Sequence, residues 1–342
     1  MLSESDYSDT EVIFDFSHKY HKPEISFLIP TYKRPGLLQE SIESIILIED
    51  KPTFEIVVVD NDDSKEFSSL VDGVIKKYSH IPISLYRNKI NLGMYGNWNM
   101  CIKLARGRWL TILNDDDKLK CDFIKNIWGL RDKAEVVIGK HEVFGELSYS
   151  RKGNLNIIDR FFFMVKTRRL TIGELFLLNP TPGALGVLFD SGFIKNIGGF
   201  DISYGVTADY HFYRRAREVA KILILSKTVA LYRWSQNESL KKETLQYFIE
   251  SDYYMRRDVI FGMFKDRYAR FFFIKMLNKY TQYSVSIMCE HVDISSVLSK
   301  ISLRSNKIKM VRVKRNFLAL LLLVSLNAKD LLKAQIETRP HL

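Results

Sequence analysis

The sequence predicts an α/β protein on a doubly wound, mostly parallel sheet. Short apolar runs alternate with helical patterns, each run stops at a polar loop, two of these loops being rich in carboxylates, and the runs read as strands buried on both faces. The first strand, Ile25-Ser26-Phe27-Leu28-Ile29, enters Pro30-Thr31-Tyr32-Lys33-Arg34-Pro35. A helical pattern follows from Leu37 to Ile48, with apolar positions at Leu37, Leu38, Ile42, Ile45 and Ile46. The second strand, Phe54 to Val59, is β-branched and ends at Asp60-Asn61-Asp62-Asp63-Ser64. Ile83 to Tyr86 is a third, and a polar loop from Asn88 to Asn91 leads to Gly93.

The fourth strand, Trp109 to Leu113, stops at Asn114-Asp115-Asp116-Asp117. Three adjacent carboxylates repel one another, and a multiply charged cation is the simplest way to make them favourable. Ligands of open α/β sheets bind at the carboxyl ends of the strands, where a metal-chelated diphosphate could be held. Taken alone, the triplet would also fit a solvated turn of capping aspartates.

In combination these motifs resemble the nucleotide-binding half of family 2, GT-A-fold glycosyltransferases. Ile29 to Arg34, Val57 to Ser64, Asn91-Leu92-Gly93, Asn99, Ala105-Arg106-Gly107 and Asn114 to Asp117 follow that family's order and spacing. Gly198-Gly199-Phe200-Asp201, Ala208-Asp209-Tyr210 and Leu231-Tyr232-Arg233 resemble its acceptor side, so the likeness covers roughly residues 24 to 236. The resemblance implies that Pro30, Thr31 and Arg34 touch nucleoside and phosphates. It assigns the uracil edge to Asp60, with Asp62 sharing that role, and places Asn99 near the nucleotide. Asn114 stands where the family carries its first acidic residue and can still bond a ribose hydroxyl. Asp115 falls at the variable position of the family's metal-binding element and is grouped with the donor contacts. Asp116 and Asp117 match its carboxylates, with Asp116 the metal ligand and Mg²⁺ or Mn²⁺ the expected cofactor. Asp209 matches the catalytic base, although Ala208 replaces the usual preceding Glu, and Arg233 matches a residue near the diphosphate. Without that context Asp209 would read equally well as a helix N-cap, and His211 as a packing residue.

Length and composition agree with one catalytic domain plus an appendage: the chain has 342 residues, 46% of them hydrophobic. The expected division is a loose N-terminal leader over 1–22, a GT-A domain over 23–240 and a basic helical region over 241–342. Within the domain, 23–120 would bind nucleotide and 121–240 acceptor. Cys101, Cys121 and Cys289 are widely separated and lack metal-ligand spacing, which argues for a reducing compartment and against disulfides or zinc. Residues 1–22 lack the basic and apolar regions of a secretory signal, so a cytoplasmic enzyme is expected.

The net charge of +11 suits any polyanion, but no zinc-finger spacing, clear helix-turn-helix or RNP-like signature accompanies it, so nucleic acid is not expected as a partner. Lys300, Arg304, Lys307, Lys309, Arg312, Lys314 and Arg315 precede the apolar run Phe317 to Leu326, which is shorter than the ~20 residues needed to span a bilayer. Such a segment suits the interface of an anionic membrane, or equally a core helix with a solvated basic face. The expected function is inverting, metal-dependent transfer of a sugar from a nucleotide-sugar donor, expected to be UDP-linked, to a lipid-linked or growing glycan of a surface polysaccharide such as O-antigen or capsule. The enzyme would work peripherally at the inner membrane face. Two alternatives are a sugar nucleotidyltransferase, which would need a Gly-rich, lysine-bearing first loop, and a non-catalytic glycan-binding or scaffold protein of the same fold. Sugar, linkage, acceptor and oligomeric state are not legible, and Glu142 to Leu170 matches no recognised pattern.

Overall fold

The computed structural model describes residues 9–17, 22–145, 166–178, 181, 183–234, 242–287, 299 and 301. Its centre is the parallel array β2 (Ile25–Thr31), β3 (Phe54–Asp60), β4 (Ile83–Asn88) and β5 (Trp109–Ile112), joined through α1 (Pro35–Ile46), α2 (Ser68–Lys77) and α3 (Gly93–Leu104). The apolar runs are apolar on both sides because both faces are covered. Phe27 and Ile29 belong to the core under α1 and α2, while Leu28, between them, belongs to the core under α3. Pro35 opens α1 at a position whose N–H would be unpaired anyway.

The sheet continues past β5 through β9 (Val187–Asp190), β7 (Val136–Phe144), β10 (Ile222–Arg233) and β6 (Lys118–Leu119), and β8 (Thr167–Arg169) pairs with β10. Here β9 runs antiparallel to both β5 and β7, β7 and β10 are parallel, and β6 is antiparallel to β10. A mixed half thus flanks the parallel one, and β6 and β10 bring Arg233 back beside the loop that follows β5.

The leader expected to be loose over 1–22 is partly ordered into the sheet: β1 (Thr10–Asp15) is an edge strand antiparallel to β4. Ile13, Phe14 and Phe16 pack against the core, and polar contacts add to them. The Thr10 hydroxyl donates to Asn88 Oδ1 at 2.8 Å, and Asp15 Oδ1 accepts from Ser17 and Ser84. Arg106 clamps the same corner, donating from Nη2 to the Ser17 hydroxyl at 2.6 Å and from Nε to buried Glu55 at 2.7 Å.

After the sheet come α8 (Lys242–Met263) and α9 (Arg267–Ile287), packed as a helical pair. The basic run from Lys300 to Arg315 and the apolar run from Phe317 to Leu326 lie outside the described residues, apart from Ile301. No described helix is long and apolar enough to cross a membrane.

Candidate active site

The carboxylates at the ends of β3 and β5 converge with Thr31 and Arg34 from the end of β2 on one edge of the parallel array, as expected of successive βα loops. The loop after β5 is shaped from two directions. Ser41 on α1 donates its hydroxyl to the Asp117 carbonyl at 2.8 Å, pinning the loop against the helix. From β10, Arg233 donates its backbone N–H to Asp117 Oδ1 at 2.9 Å and its Nε to the Asp116 carbonyl at 2.8 Å. Its Nη2 reaches Glu40 at 2.6 Å, and Glu40 also binds Lys118 at 2.7 Å. The Lys118 ammonium, together with Arg233, holds the Glu40 carboxyl below its ordinary range. Neither Glu40 nor Lys118 belongs to a recognisable motif.

The three aspartates point in different directions. Asp115 is buried, and its Oδ2 accepts from the Thr31 hydroxyl at 2.8 Å and the Tyr32 N–H at 3.1 Å. Asp117 is buried on the other side, where its Oδ2 accepts from Asn114 Nδ2 at 3.1 Å. Burial pushes the Asp115 carboxyl up to about 6, and burial with the neighbouring Asp116 charge pushes Asp117 up to about 7. Asp116 turns to Arg34, whose Nη1 lies 2.7 Å from Asp116 Oδ2 and 3.6 Å from Asp115 Oδ1. A single cationic nitrogen thus occupies the position between two carboxylates.

That geometry fits a divalent cation, with the guanidinium as its stand-in. A cation bridging a diphosphate needs only one or two protein carboxylates, the phosphates and water supplying the rest. Accordingly, no described cluster of three His, Cys, Asp or Glu side chains could hold a metal by itself. The expected metal pair was Asp116 and Asp117, and the pair that shares Arg34 is Asp115 and Asp116. Asp117 has one oxygen on a backbone N–H and the other on Asn114, so Asp115 is the carboxylate that shares Arg34 with Asp116.

Asp60 ends β3 fully buried, with Oδ2 on Arg87 Nε at 2.9 Å and Oδ1 on the Asp62 N–H at 3.1 Å. Burial raises its carboxyl despite the guanidinium. Asp62, expected beside it at the nucleobase, instead braces its own loop: it accepts from the Ser64 N–H and hydroxyl and, at 3.2 Å, from the Phe67 N–H. Asn61 ties this loop to the next, donating to Asn91 at 2.8 Å and accepting from the Leu92 N–H at 3.0 Å. Pro30 is buried inside β2, opposite Val59, and shapes the strand end beneath Thr31.

Asn99 is the clearest departure from expectation. Its Nδ2 donates to the Phe200 carbonyl at 2.7 Å and its Oδ1 accepts from the Phe200 N–H at 2.9 Å, so it clamps the Gly198-Gly199-Phe200 turn rather than facing the donor cluster. Gly199 has φ +61°, and a Cβ there would collide with the Asn99 carboxamide. Asn99→Ala leaves two backbone groups of a buried residue unpaired and is expected to cost about 2–4 kcal/mol in urea unfolding. UDP affinity should not change, and loss of that affinity at undiminished stability would restore the donor role.

On the acceptor side, Asp209 lies in the first turn of α7 (Ala208–Val219), where Thr207, not Asp209, holds the N-cap position. It is partly buried and accepts from the Tyr210 N–H at 2.7 Å and from the Tyr95 hydroxyl. Burial raises its carboxyl above the ordinary value. Gly183 approaches it, since a Cβ there would lie 3.7 Å from Asp209 Oδ2 and 3.6 Å from the Trp98 ring. Tyr95 stands near the start of α3, just beyond the Asn91–Gly93 loop that Asn61 holds, which sets Asp209 toward the strand-end edge. His211 is a packing residue: its ring stacks on Tyr204 at 3.4 Å, and burial with Arg214 and Arg215 lowers it to about 4.

A parallel sheet with carboxylates massed at its strand ends, continued by a mixed half, defines a GT-A fold. Residues 26–186 match the family model "Glycosyl transferase family 2", and this stretch belongs to that family. The match ends before Asp209 and Arg233. A GalNAc(5)-diNAcBac-PP-undecaprenol beta-1,3-glucosyltransferase of Campylobacter jejuni is 33% identical over 134 residues, 39% of this chain and 41% of that protein. The chain thus spans well under half the length of that relative. Among solved structures, S. aureus TarS 1-349 in complex with UDP-GlcNAc aligns with TM-score 0.57 at 18% identity, over 78% of this chain and 74% of that one. The mannosyltransferase PcManGT of Pyrobaculum calidifontis, in complex with GDP-Man and Mn2+, aligns with TM-score 0.54 at 14% identity, covering 91% of this chain and 88% of that one.

Proposed function

We propose that the protein is an inverting, metal-dependent glycosyltransferase that moves a sugar from a UDP-sugar to a lipid-linked or growing glycan in surface polysaccharide synthesis, working peripherally at the inner face of the cell membrane. The observation that carries this reading is the Arg34 guanidinium between Asp115 and Asp116 at the end of the parallel strands. The family of residues 26–186, the UDP-GlcNAc complex of TarS and the undecaprenol-linked substrate in the glucosyltransferase's name favour the donor and acceptor classes. The Mn2+ in the mannosyltransferase complex favours a divalent cation.

In this reading Asp115 and Asp116 hold the cation, which when bound offsets charge on the donor diphosphate. Arg34, displaced from the carboxylates, is free to grip phosphate oxygens, and its side chain, 40% exposed, has room to move. Asp209 takes the proton of the acceptor hydroxyl as its oxygen bonds to the anomeric carbon. The bond from that carbon to the diphosphate breaks on the opposite face, and the nucleoside diphosphate leaves with the electron pair.

A panel of nucleotide sugars with and without Mn²⁺ tests the donor. The preferred one, at 100 times its Kd, should stabilise the protein by about 2.7 kcal/mol against unfolding. Equal stabilisation with and without metal would reject metal dependence, and no stabilisation by any nucleotide sugar would reject the donor assignment.

A further inference from the structure

The helical pair beyond the sheet presents a surface that the transfer reaction does not use. One side of α9 is buried through Phe273, Met276 and Leu277, with Phe264 stacked on Phe273 and Tyr253 on α8 bonded to Asn278 at 2.9 Å. Among the described residues nothing covers the other side. Tyr268 is 83% exposed, Phe271 69% and Phe272 55%, and their spacing sets the three rings in one stripe. Phe261, in the last turn of α8, is also exposed and lies under the Arg270 guanidinium, 5.0 Å from its ring centroid. Lys265, Arg267, Lys275 and Lys279 are exposed on the same segment. Asp266, the single acid from 265 to 279, is engaged at the start of α9, accepting from the Ala269 N–H at 2.7 Å.

Adjacent exposed rings on one helix face are more than the scattered apolar residues that any surface carries. Aromatic rings favour the headgroup level of a bilayer, and cations beside them meet anionic headgroups. We propose that this aromatic and basic face of α9, with the end of α8, is the surface on which the protein rests against an anionic lipid bilayer. Charge selects the occupant. A second copy would oppose two cationic faces. The chain's own stretch from 302 to 315 carries Arg304, Lys307, Lys309, Arg312, Lys314 and Arg315 with no acid, so it has the same sign. An anionic bilayer complements both and buries the rings.

The proposal rests on the reading that the acceptor is lipid-linked, so it is tested without donor or acceptor. The full chain should sediment with phosphatidylcholine vesicles containing phosphatidylglycerol and release as salt rises, because exposed charges are screened over ~10 Å at 0.1 M. Combined Tyr268→Ser, Phe271→Ser and Phe272→Ser should lower partitioning about tenfold or more, since each buried ring contributes independently of charge. Combined Lys265→Gln, Arg267→Gln and Lys275→Gln should narrow the preference for anionic over neutral vesicles. All six side chains are exposed, so both variants should keep the wild-type circular dichroism. Wild-type protein that ignores vesicles overturns the proposal, as does an aromatic variant that binds like wild type. A wild-type dimer that the aromatic variant turns into a monomer, without vesicle binding, overturns it in favour of self-association. Vesicle binding by a protein that transfers no sugar would leave this surface standing and remove only the enzymatic reading.

Discussion

Asp209→Asn is expected to lower sugar transfer about 10²–10⁴-fold while donor affinity stays near the wild-type value. The split follows from position. Asp209 lies in the first turn of α7 among Tyr95, Tyr210 and the backbone at Gly183, whereas Arg34, Asp115 and Asp116 belong to the ends of β2 and β5. The amide keeps the shape and the acceptor oxygen for the Tyr210 N–H but cannot take a proton. Isothermal titration with UDP and Mn²⁺, paired with single-turnover transfer, separates the two. Near-normal transfer would remove the base from Asp209, and lost donor binding would mean that the substitution had disturbed more than chemistry.

The same carboxylate sets the sign of the pH dependence. Burial raises the Asp209 carboxyl above the ordinary carboxylate value, and a general base works only when ionised. Turnover should therefore fall as pH drops through the raised value, starting at higher pH than for an exposed aspartate. Tyr95→Phe removes a hydroxyl that favours the ionised form, so the acid limb should move to still higher pH. A profile that does not move would mean that Tyr95 does not hold the base.

The parallel core was legible because its strands are covered on both faces, which left apolar runs ending at polar loops, as in Ile56 to Val59 of β3. Strand β1 was not: only Val12, Ile13 and Phe14 are apolar there, and the contacts that fix it, Ile13 and Phe14 on the core, Thr10 on Asn88 and Asp15 on Ser84, are made to residues distant in sequence. At the site, the acidic loop was legible but the direction of each carboxylate was not. A strand end fixes where Asp115, Asp116 and Asp117 begin. Where they point is set by Thr31, Arg34 and Arg233, which arrive from β2, the loop after it and β10. Asn99 shows the same limit in reverse, because a carboxamide near a nucleotide motif and one clamping the Phe200 backbone read alike in one dimension. Arg87 and Glu40 carried no local signal, each being defined by the charge it meets in the fold.

Asp116→Asn is expected to abolish most of the metal-dependent part of nucleotide binding, at least about tenfold in UDP affinity with Mn²⁺, or 1.4 kcal/mol. Of the three aspartates it is the one that lies nearest the displaceable Arg34 cation, at 2.7 Å. Asp115 is half committed, with Oδ2 on Thr31 and Tyr32 and Oδ1 toward Arg34, whereas Asp117 has both oxygens on the Arg233 N–H and Asn114. The losses should therefore rank Asp116, then Asp115, then Asp117, each as the Asn variant. Asp117→Asn should instead lower stability, because an amide nitrogen would face the donor that its Oδ1 or Oδ2 now accepts from. Affinity without metal should not fall in Asp116→Asn, since loss of that charge releases Arg34 toward the phosphates. Unchanged metal-dependent affinity in Asp116→Asn rejects the site. An effect of Asp117→Asn as large as that of Asp116→Asn, at wild-type stability, restores those two as the ligand pair and leaves Asp115 to orient Thr31.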